Sequence, residues 1–392
     1  MYQLIQYCFV SSVLFLTACH ILHAQKITAK VVVEGRVREC IVVRPSGAVP
    51  AGGYPMVFMV HGTGGDGEKF YNISQWVERG EKDKIITVFP SSLAWCHKEK
   101  DGSVVPRVEK WVNGDLLDGY CGKTEDLISE ELFFRKMVDT ISAVLPINAK
   151  KIFVAGFSNG GCMTHKLFIQ TSDIFSAFAS NAGSFHILDS SKTKRKVPLM
   201  FAVGTLDQGY LERIGIAALP YNDSCLRYLH EPISRTLSVL DLTEQFSVYA
   251  NEKTRTYVFN TPKPGADPAT YIFTLIKGAE HVYPNGTLHE LIMADIHWEF
   301  FKTLSVPSSL ITSVETEEIS REQFLHPNPA SDFITLHDIP EHTENIFITN
   351  AVGATVLTIP ASGGNTINVS ALPNGLYSIT AGTSRSTFLI AR

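Results

Sequence analysis

The chain has 392 residues and a formal net charge of −5, with 45% hydrophobic and 19% charged residues. These are globular values, and the length allows one large domain plus a smaller one. The mild acidity gives no basis for binding nucleic acid or an anionic membrane surface.

The first residues read as an export signal rather than as fold. The run "CFVSSVLFLTAC", residues 8–19, is apolar and too short to span a bilayer. Small residues before Gln25 suit cleavage after Ala24, although "MYQLIQY" lacks the usual Lys or Arg. The stretch "LTAC" also fits a lipobox, which would make Cys19 a lipidated N-terminus, and both routes stay open. No stable membrane span is expected in the mature protein. Cleavage after Ala24 leaves Cys40, Cys96, Cys121, Cys162 and Cys225, so at least one thiol stays unpaired. Export permits a disulfide, and Cys96 and Cys121, which flank one loop, are the favoured pair. No His or Cys cluster has zinc spacing, so no metal is expected.

Further along, "KITAKVVVEGRVRECIVVRP" reads as a hairpin broken at Gly35. The runs "YPMVFMVHG" and "KDKIITVFP" read as buried parallel strands. Residues 91–129 read as a loop rich in aromatic and polar residues. A helix is expected over "EELFFRKMVDTISAVLP", ending before Pro146. Then come a strand "KKIFVAG", a helix "SNGGCMTHKLFIQ", and strands "FSAFASNAG" and "VPLMFAVG". Residues 208–235 form an insertion, read either as an apolar lid or as a surface helix. The stretch "SVLDLTEQFSVYAN" is expected to be helical, "TRTYVFN" and "ATYIFTLIKG" to be strands, and "LHELIMADIHWEFFKTL" to be a closing helix. Alternating strands and helices predict an α/β fold, a doubly wound and mostly parallel sheet with an antiparallel edge from the leading hairpin. Near Val306 the texture becomes polar and aperiodic. Short alternating runs follow, from "DFITL" to "STFLIAR", the pattern of a small all-β sandwich. The expected organisation is a signal peptide over 1–24, a catalytic domain over 25–305, a linker over 306–320 and the sandwich over 321–392.

The chemistry concentrates in "KKIFVAGFSNGG". Strand, Gly-x-Ser-x-Gly and helix in that order make a nucleophile elbow. The turn is so tight that Gly156 and Gly160 must supply room around Ser158. It also aims free backbone N–H groups of the helix at the reacting carbonyl. A serine hydroxyl needs a base, and the base needs an orienting acid. In this arrangement the chain order is Ser, acid, His. Asp207 follows the strand "VPLMFAVG", and His281 follows "YIFTLIKG", each at a strand's carboxyl end. Asp223 and Asp241 are weaker candidates because no strand precedes them. In "VFMVHGTGGDG", Gly62 and its neighbouring glycines let the backbone approach closely. The main-chain N–H groups of Thr63 and Asn159 are the expected oxyanion donors, each worth ~3 kcal/mol of barrier. A phosphate loop is excluded because no Gly-Lys-Ser/Thr follows. No cofactor is required by this chemistry.

With those residues named, the stretches "HGTGGDG", "GFSNGGCM", "VGTLD", "GAEHVYPNG" and "IHWEFF" resemble extracellular poly(3-hydroxybutyrate) depolymerases and feruloyl or acetylxylan esterases of the α/β-hydrolase class. The resemblance spans roughly residues 55–304. It implies a serine esterase with Ser158, Asp207 and His281 as its triad, acting on a polyester or an acylated polysaccharide. Two departures occur. Thr63 replaces a frequent cysteine, which leaves the main-chain donor intact, and Tyr283-Pro284 replaces a usual Trp-Pro. The tail, with "LHPNPASDFITL" and "LPNGLYSITAGTSRSTFLIAR", resembles the type A sorting domain of the type IX secretion system. That implies the type IX machinery as partner and a secreted or cell-surface location. A polysaccharide-binding sandwich is the alternative, but Tyr377 is the only Trp or Tyr there to build a sugar platform. A secreted serine peptidase of the same fold and a non-catalytic adhesion protein are the competing functions.

Overall fold

The computed structural model describes residues 24–186, 192–311, 325–326, 329–336, 339, 343–350, 354–382 and 384–392. The expected signal segment up to residue 23, residues 312–320 of the expected linker, and Pro327 and Asn328 of the tail motif lie outside the described residues. The chain divides into two compact units. One takes the described residues up to 311 apart from 244–248; the other takes those and the described residues from 325 onward.

The described chain up to residue 311 is built on a ten-stranded sheet. Its leading hairpin is β1 (Gln25–Val33) and β2 (Arg36–Arg44), then come β3 (Tyr54–Val60) and β4 (Ile86–Pro90). A separate two-stranded hairpin follows, β5 (Leu93–Lys98) and β6 (Val104–Lys110). The main sheet resumes with β7 (Ile147–Phe157), β8 (Ala177–Asn181), β9 (Leu199–Gly204), β10 (Ser247–Ala250), β11 (Thr254–Phe259) and β12 (Tyr271–Ile276). The spatial order is β1-β2-β4-β3-β7-β8-β9-β12-β11-β10. Strands β4, β3, β7, β8, β9 and β12 run parallel to one another, whereas β1–β2, β2–β4 and β11–β12 pair antiparallel. From β1 to β12 this is the strand order of an α/β hydrolase, with β11 and β10 added at the far edge.

Both faces of the sheet are covered, which is why β3, β8, β9 and β12 are buried at every residue. On β3 the alternation separates two cores. Val57 and Met59 pack with Trp76, Trp298 and Phe301 from the helices Trp76–Asp83 and Met293–Thr303. Phe58 meets Phe134 of the helix Glu130–Val144 at a ring separation of 5.7 Å. That helix starts where Ser129 Oγ accepts the Leu132 N–H, and it ends before Pro146.

Three expectations fail. The segment 91–129 contains the β5–β6 hairpin and a short helix, Gly114–Leu117, rather than only loop. The helix expected through "SVLDLTEQFSVYAN" stops at Leu240, because Asp241 turns to φ 52° and closes it by donating its N–H to earlier carbonyls; Ser247–Ala250 is the edge strand β10. The closing helix begins at Met293, later than its apolar pattern suggested.

The smaller unit has an antiparallel sheet from Leu325–His326, Phe333–Leu336 and Thr366–Asn368, and another from Asn345–Asn350, Thr355–Pro360, Gly375–Ala381 and Ser384–Ile390. Inward residues of both sheets, among them Ile334, Ile346, Ile348, Ile379 and Phe388, form one core cluster.

Candidate active site

Strand β7 ends at Phe157, and the chain enters the helix Asn159–Thr171 across a single residue. Ser158 takes φ 54° and ψ −123° there. Such a conformation costs a non-glycine residue on the order of 1–3 kcal/mol and persists only where its surroundings enforce it. The Ser158 N–H donates to Asn181 O at 2.9 Å, and its carbonyl accepts the Cys162 N–H at 2.9 Å. A methyl group at Gly156 would collide with Gly160 O and Thr164 Oγ1; one at Gly160 would collide with the carbonyl oxygens of Val60 and His61. Gly62 faces the elbow from β3, where an added Cβ would lie 3.2 Å from Ser158 Cβ.

Neighbouring parallel strands deliver the other two groups. β9 and β12 run in register up to Gly204 opposite Ile276. Their exits are tied together: the Thr205 N–H donates to Ile276 O at 2.8 Å, the Leu206 N–H to Ala279 O at 2.9 Å, and the Gly278 N–H to Thr205 Oγ1 at 2.8 Å. Asp207 and His281 therefore leave the same sheet edge side by side. His281 Nδ1 lies 2.9 Å from Asp207 Oδ1, and His281 Nε2 lies 2.8 Å from Ser158 Oγ. Asp207 is fully buried while the His281 ring is about one-third exposed. With Nδ1–H donated to the carboxylate, Nε2 keeps its lone pair toward the serine hydroxyl. The Phe157 ring flanks the imidazole at 5.3 Å, and the buried Tyr283 packs behind it on Phe157 and Phe70. The weaker candidates are committed elsewhere. Asp223 pairs with Arg255 at 2.6 Å, and Asp241 pairs with Lys196 at 2.8 Å.

Thr63 and Asn159 flank the serine from β3 and from the helix start. Neither main-chain N–H has an acceptor among the described residues. The Thr63 loop is held by His61, whose Nδ1–H donates to Gly62 O at 2.7 Å while Nε2 accepts the Ser92 N–H at 3.0 Å. Burial pushes the His61 pKa down to about 4, so this ring is neutral and serves as a brace.

The residues that sequence reasoning missed lie in the stretch after β6. The Asn159 side chain is enclosed by it: Oδ1 accepts the Trp111 N–H at 2.8 Å, and Nδ2 donates to Asn113 Oδ1 at 3.1 Å and Asp115 Oδ2 at 2.8 Å. Trp111 Nε1 donates to His61 O at 2.8 Å. Trp95 and Trp111 are both buried. Cys96 and Cys121 form a disulfide that joins β5 to the chain beyond the short helix, with Cα atoms 5.5 Å apart. The Asp-Gly pair at the hairpin tip, residues 101–102, was the one local signal for this excursion. Among the described residues, no group of three or more His, Cys, Asp or Glu is placed to hold a metal ion, and no helix is long and apolar enough to cross a membrane.

Comparison with known proteins separates the two ends of the chain. Residues 325–389 match the family model of the secretion system C-terminal sorting domain. The chain is similar to feruloyl esterase B of Piromyces equi, 26% identical over 184 residues, 46% of this chain and 31% of that protein. A bifunctional acetylxylan esterase/xylanase of Neocallimastix patriciarum is 22% identical over 291 residues, 71% of this chain and 35% of that one. The chain thus spans about a third of the length of these curated relatives. Among solved structures, an acetyl xylan esterase from Aspergillus awamori aligns with a TM-score of 0.46 at 15% identity, over 71% of this chain and 99% of that one. A ferulic acid esterase from Anaeromyces mucronatus aligns with a TM-score of 0.38 at 16% identity, over 68% and 87%.

Proposed function

We propose that the chain is a secreted serine esterase that removes acyl groups, feruloyl or acetyl, from polysaccharide. One observation carries the reading: the unbroken line from Asp207 through His281 to Ser158, with contacts of 2.9 and 2.8 Å. The elbow and the two unpartnered N–H groups support it, and so do the esterase activities named for the two relatives.

In the reaction, His281 Nε2 takes the hydroxyl proton as Ser158 Oγ attacks the ester carbonyl carbon. Buried Asp207 holds the Nδ1–H tautomer and stabilises the imidazolium that forms. The carbonyl oxygen becomes an oxyanion facing the N–H groups of Thr63 and Asn159. His281 returns the proton to the leaving alcohol, and the acyl group stays on Ser158. Water, deprotonated by the same imidazole, then attacks the acyl-enzyme and frees the acid.

Ser158→Ala removes the nucleophile and leaves the fold intact. Its rate on p-nitrophenyl acetate should fall by about 10⁴-fold or more. A rate near wild type would refute the assignment. A panel of methyl ferulate, acetylated xylan, hydroxybutyrate oligomers and peptides ranks the substrates. Preference for the oligomers would move the reading to a polyester depolymerase, and cleavage of peptides alone would make it a peptidase. The same proposal assigns residues 1–24 to export across the inner membrane and 321–392 to sorting by the type IX machinery, with 25–305 as the catalytic part.

A further inference from the structure

We propose that Asp115 is a positioning residue: acting through the Asn159 side chain, it holds the Asn159 main-chain N–H on the developing oxyanion. The proposal rests on the esterase reading above.

Oxyanion stabilisation needs only the main chain of the residue after the nucleophile, so its side chain is free to be anything that fits. Here it is an amide, 2% exposed, with every polar atom used. Besides the contacts of Oδ1 and Nδ2, the Asn159 carbonyl accepts Asn113 Nδ2–H at 2.9 Å. All of these partners come from residues 111–115. The need for them follows from Ser158. Its backbone sits at φ 54° and ψ −123°, away from any relaxed basin. The cheapest relaxation is rotation of the peptide between Ser158 and Asn159, and that rotation turns the oxyanion donor away. A side chain pinned on both edges of its amide opposes it.

Asp115 is the charged member of this clamp. Its Oδ2 lies 3.2 Å from Lys110 Nζ, and Lys110 is itself almost buried. Lys110 also reaches His97 Nε2 at 3.2 Å, which anchors the ammonium to the disulfide-linked strand β5. Burial alone would raise the Asp115 carboxyl, but the Lys110 charge and the Asn159 amide outweigh it and hold the group below its ordinary value. A carboxylate accepting from an amide N–H makes a stronger bond than a neutral acceptor does. The same stretch grips the other donor. Trp111 Nε1 holds His61 O, and Glu109 O accepts the Gly64 N–H at 2.9 Å, on either side of Thr63. One segment therefore sets the spacing between the two oxyanion donors.

The test uses the full chain, p-nitrophenyl acetate and a trifluoromethyl ketone that forms a serine adduct resembling the tetrahedral intermediate. Asp115→Ala should lose about 10- to 100-fold in kcat with KM changed by less than about threefold, because the lost interaction is made in the transition state. The ketone's inhibition constant should rise by the same factor. Asp115→Asn keeps an acceptor for Asn159 and should recover most of the loss. Asp115→Ser repeats the truncation with a side chain that stays polar, and melting curves identify variants that remain native. A kcat for native Asp115→Ala or Asp115→Ser within about twofold of wild type overturns the clamp, as does a kcat loss with unchanged ketone affinity. An inactive wild-type chain would sink the esterase reading and the clamp with it; an active wild type with unaffected Asp115 variants would sink the clamp alone.

Discussion

Asp207 presents one carboxylate oxygen to His281 and buries the other, Oδ2, with no hydrogen-bond partner among the described residues. Its value to the site is thus the charge and the acceptor it offers at Oδ1. Asp207→Asn keeps the shape but can turn an NH₂ toward Nδ1. The imidazole then moves its proton to Nε2 and can no longer accept one from Ser158. The expected fall in kcat is about 10³- to 10⁴-fold with little change in melting temperature, read by steady-state kinetics and circular dichroism. A loss below tenfold would mean that the carboxylate does not set the tautomer. Residues of this kind were legible because each follows a strand end in a fixed chain order. Asn113 and Asp115 were not legible. They act on Asn159 across more than forty positions, through bonds that leave no local spacing.

At the scale of elements, apolar periodicity worked wherever burial was one-sided or complete. It located β3, β7, β9 and β12 and the helix Glu130–Val144. It failed for Phe246, Val248 and Tyr249, whose spacing suits a helix face and a strand edge alike; the left-handed turn at Asp241 decides between them. It also failed for β5 and β6, where Lys98, Arg107, Glu109 and Lys110 and a proline in β6 interrupt any apolar alternation. That hairpin is stapled by Cys96–Cys121, which closes a loop with a separation of 25. A closed loop of that size restricts the unfolded chain by about 3 kcal/mol. Replacing both cysteines by serine should therefore lower the melting temperature of the larger unit. It should also lower kcat more than it raises KM, since Lys110 and Asp115 lie within the closed loop. Calorimetry and steady-state kinetics on the double variant check both; unchanged values would mean the hairpin is held by packing alone.

For the molecule as a whole, the order of strands and helices was written in the alternation of the sequence, and the antiparallel edge in the leading hairpin. What composition could not reveal is how the folded state answers to pH. Three of the buried histidines of the larger unit, His61, His165 and His297, have pKa values pushed down to about 4, about 4 and about 3. Burial is the largest cause in each case, and for His297 it is the sole one; neither of its ring nitrogens has a partner among the described residues. A histidine of depressed folded pKa takes up protons in the unfolded state first. Its contribution to stability is complete above the unfolded value of 6.5 and is lost as pH falls toward the folded one. The unit should therefore weaken steadily from about pH 6.5 down to about pH 4, with His297 alone accounting for a few kcal/mol. His297→Leu should flatten that dependence, because leucine has nothing to protonate. At neutral pH it should cost nothing or raise the melting temperature, because a buried ring without hydrogen bonds is replaced by an apolar group of similar size. Melting curves of wild type and variant at intervals between pH 7 and pH 4 decide the matter. Parallel pH profiles would show that the imidazole at 297 takes up its proton in the folded state as readily as in the unfolded chain.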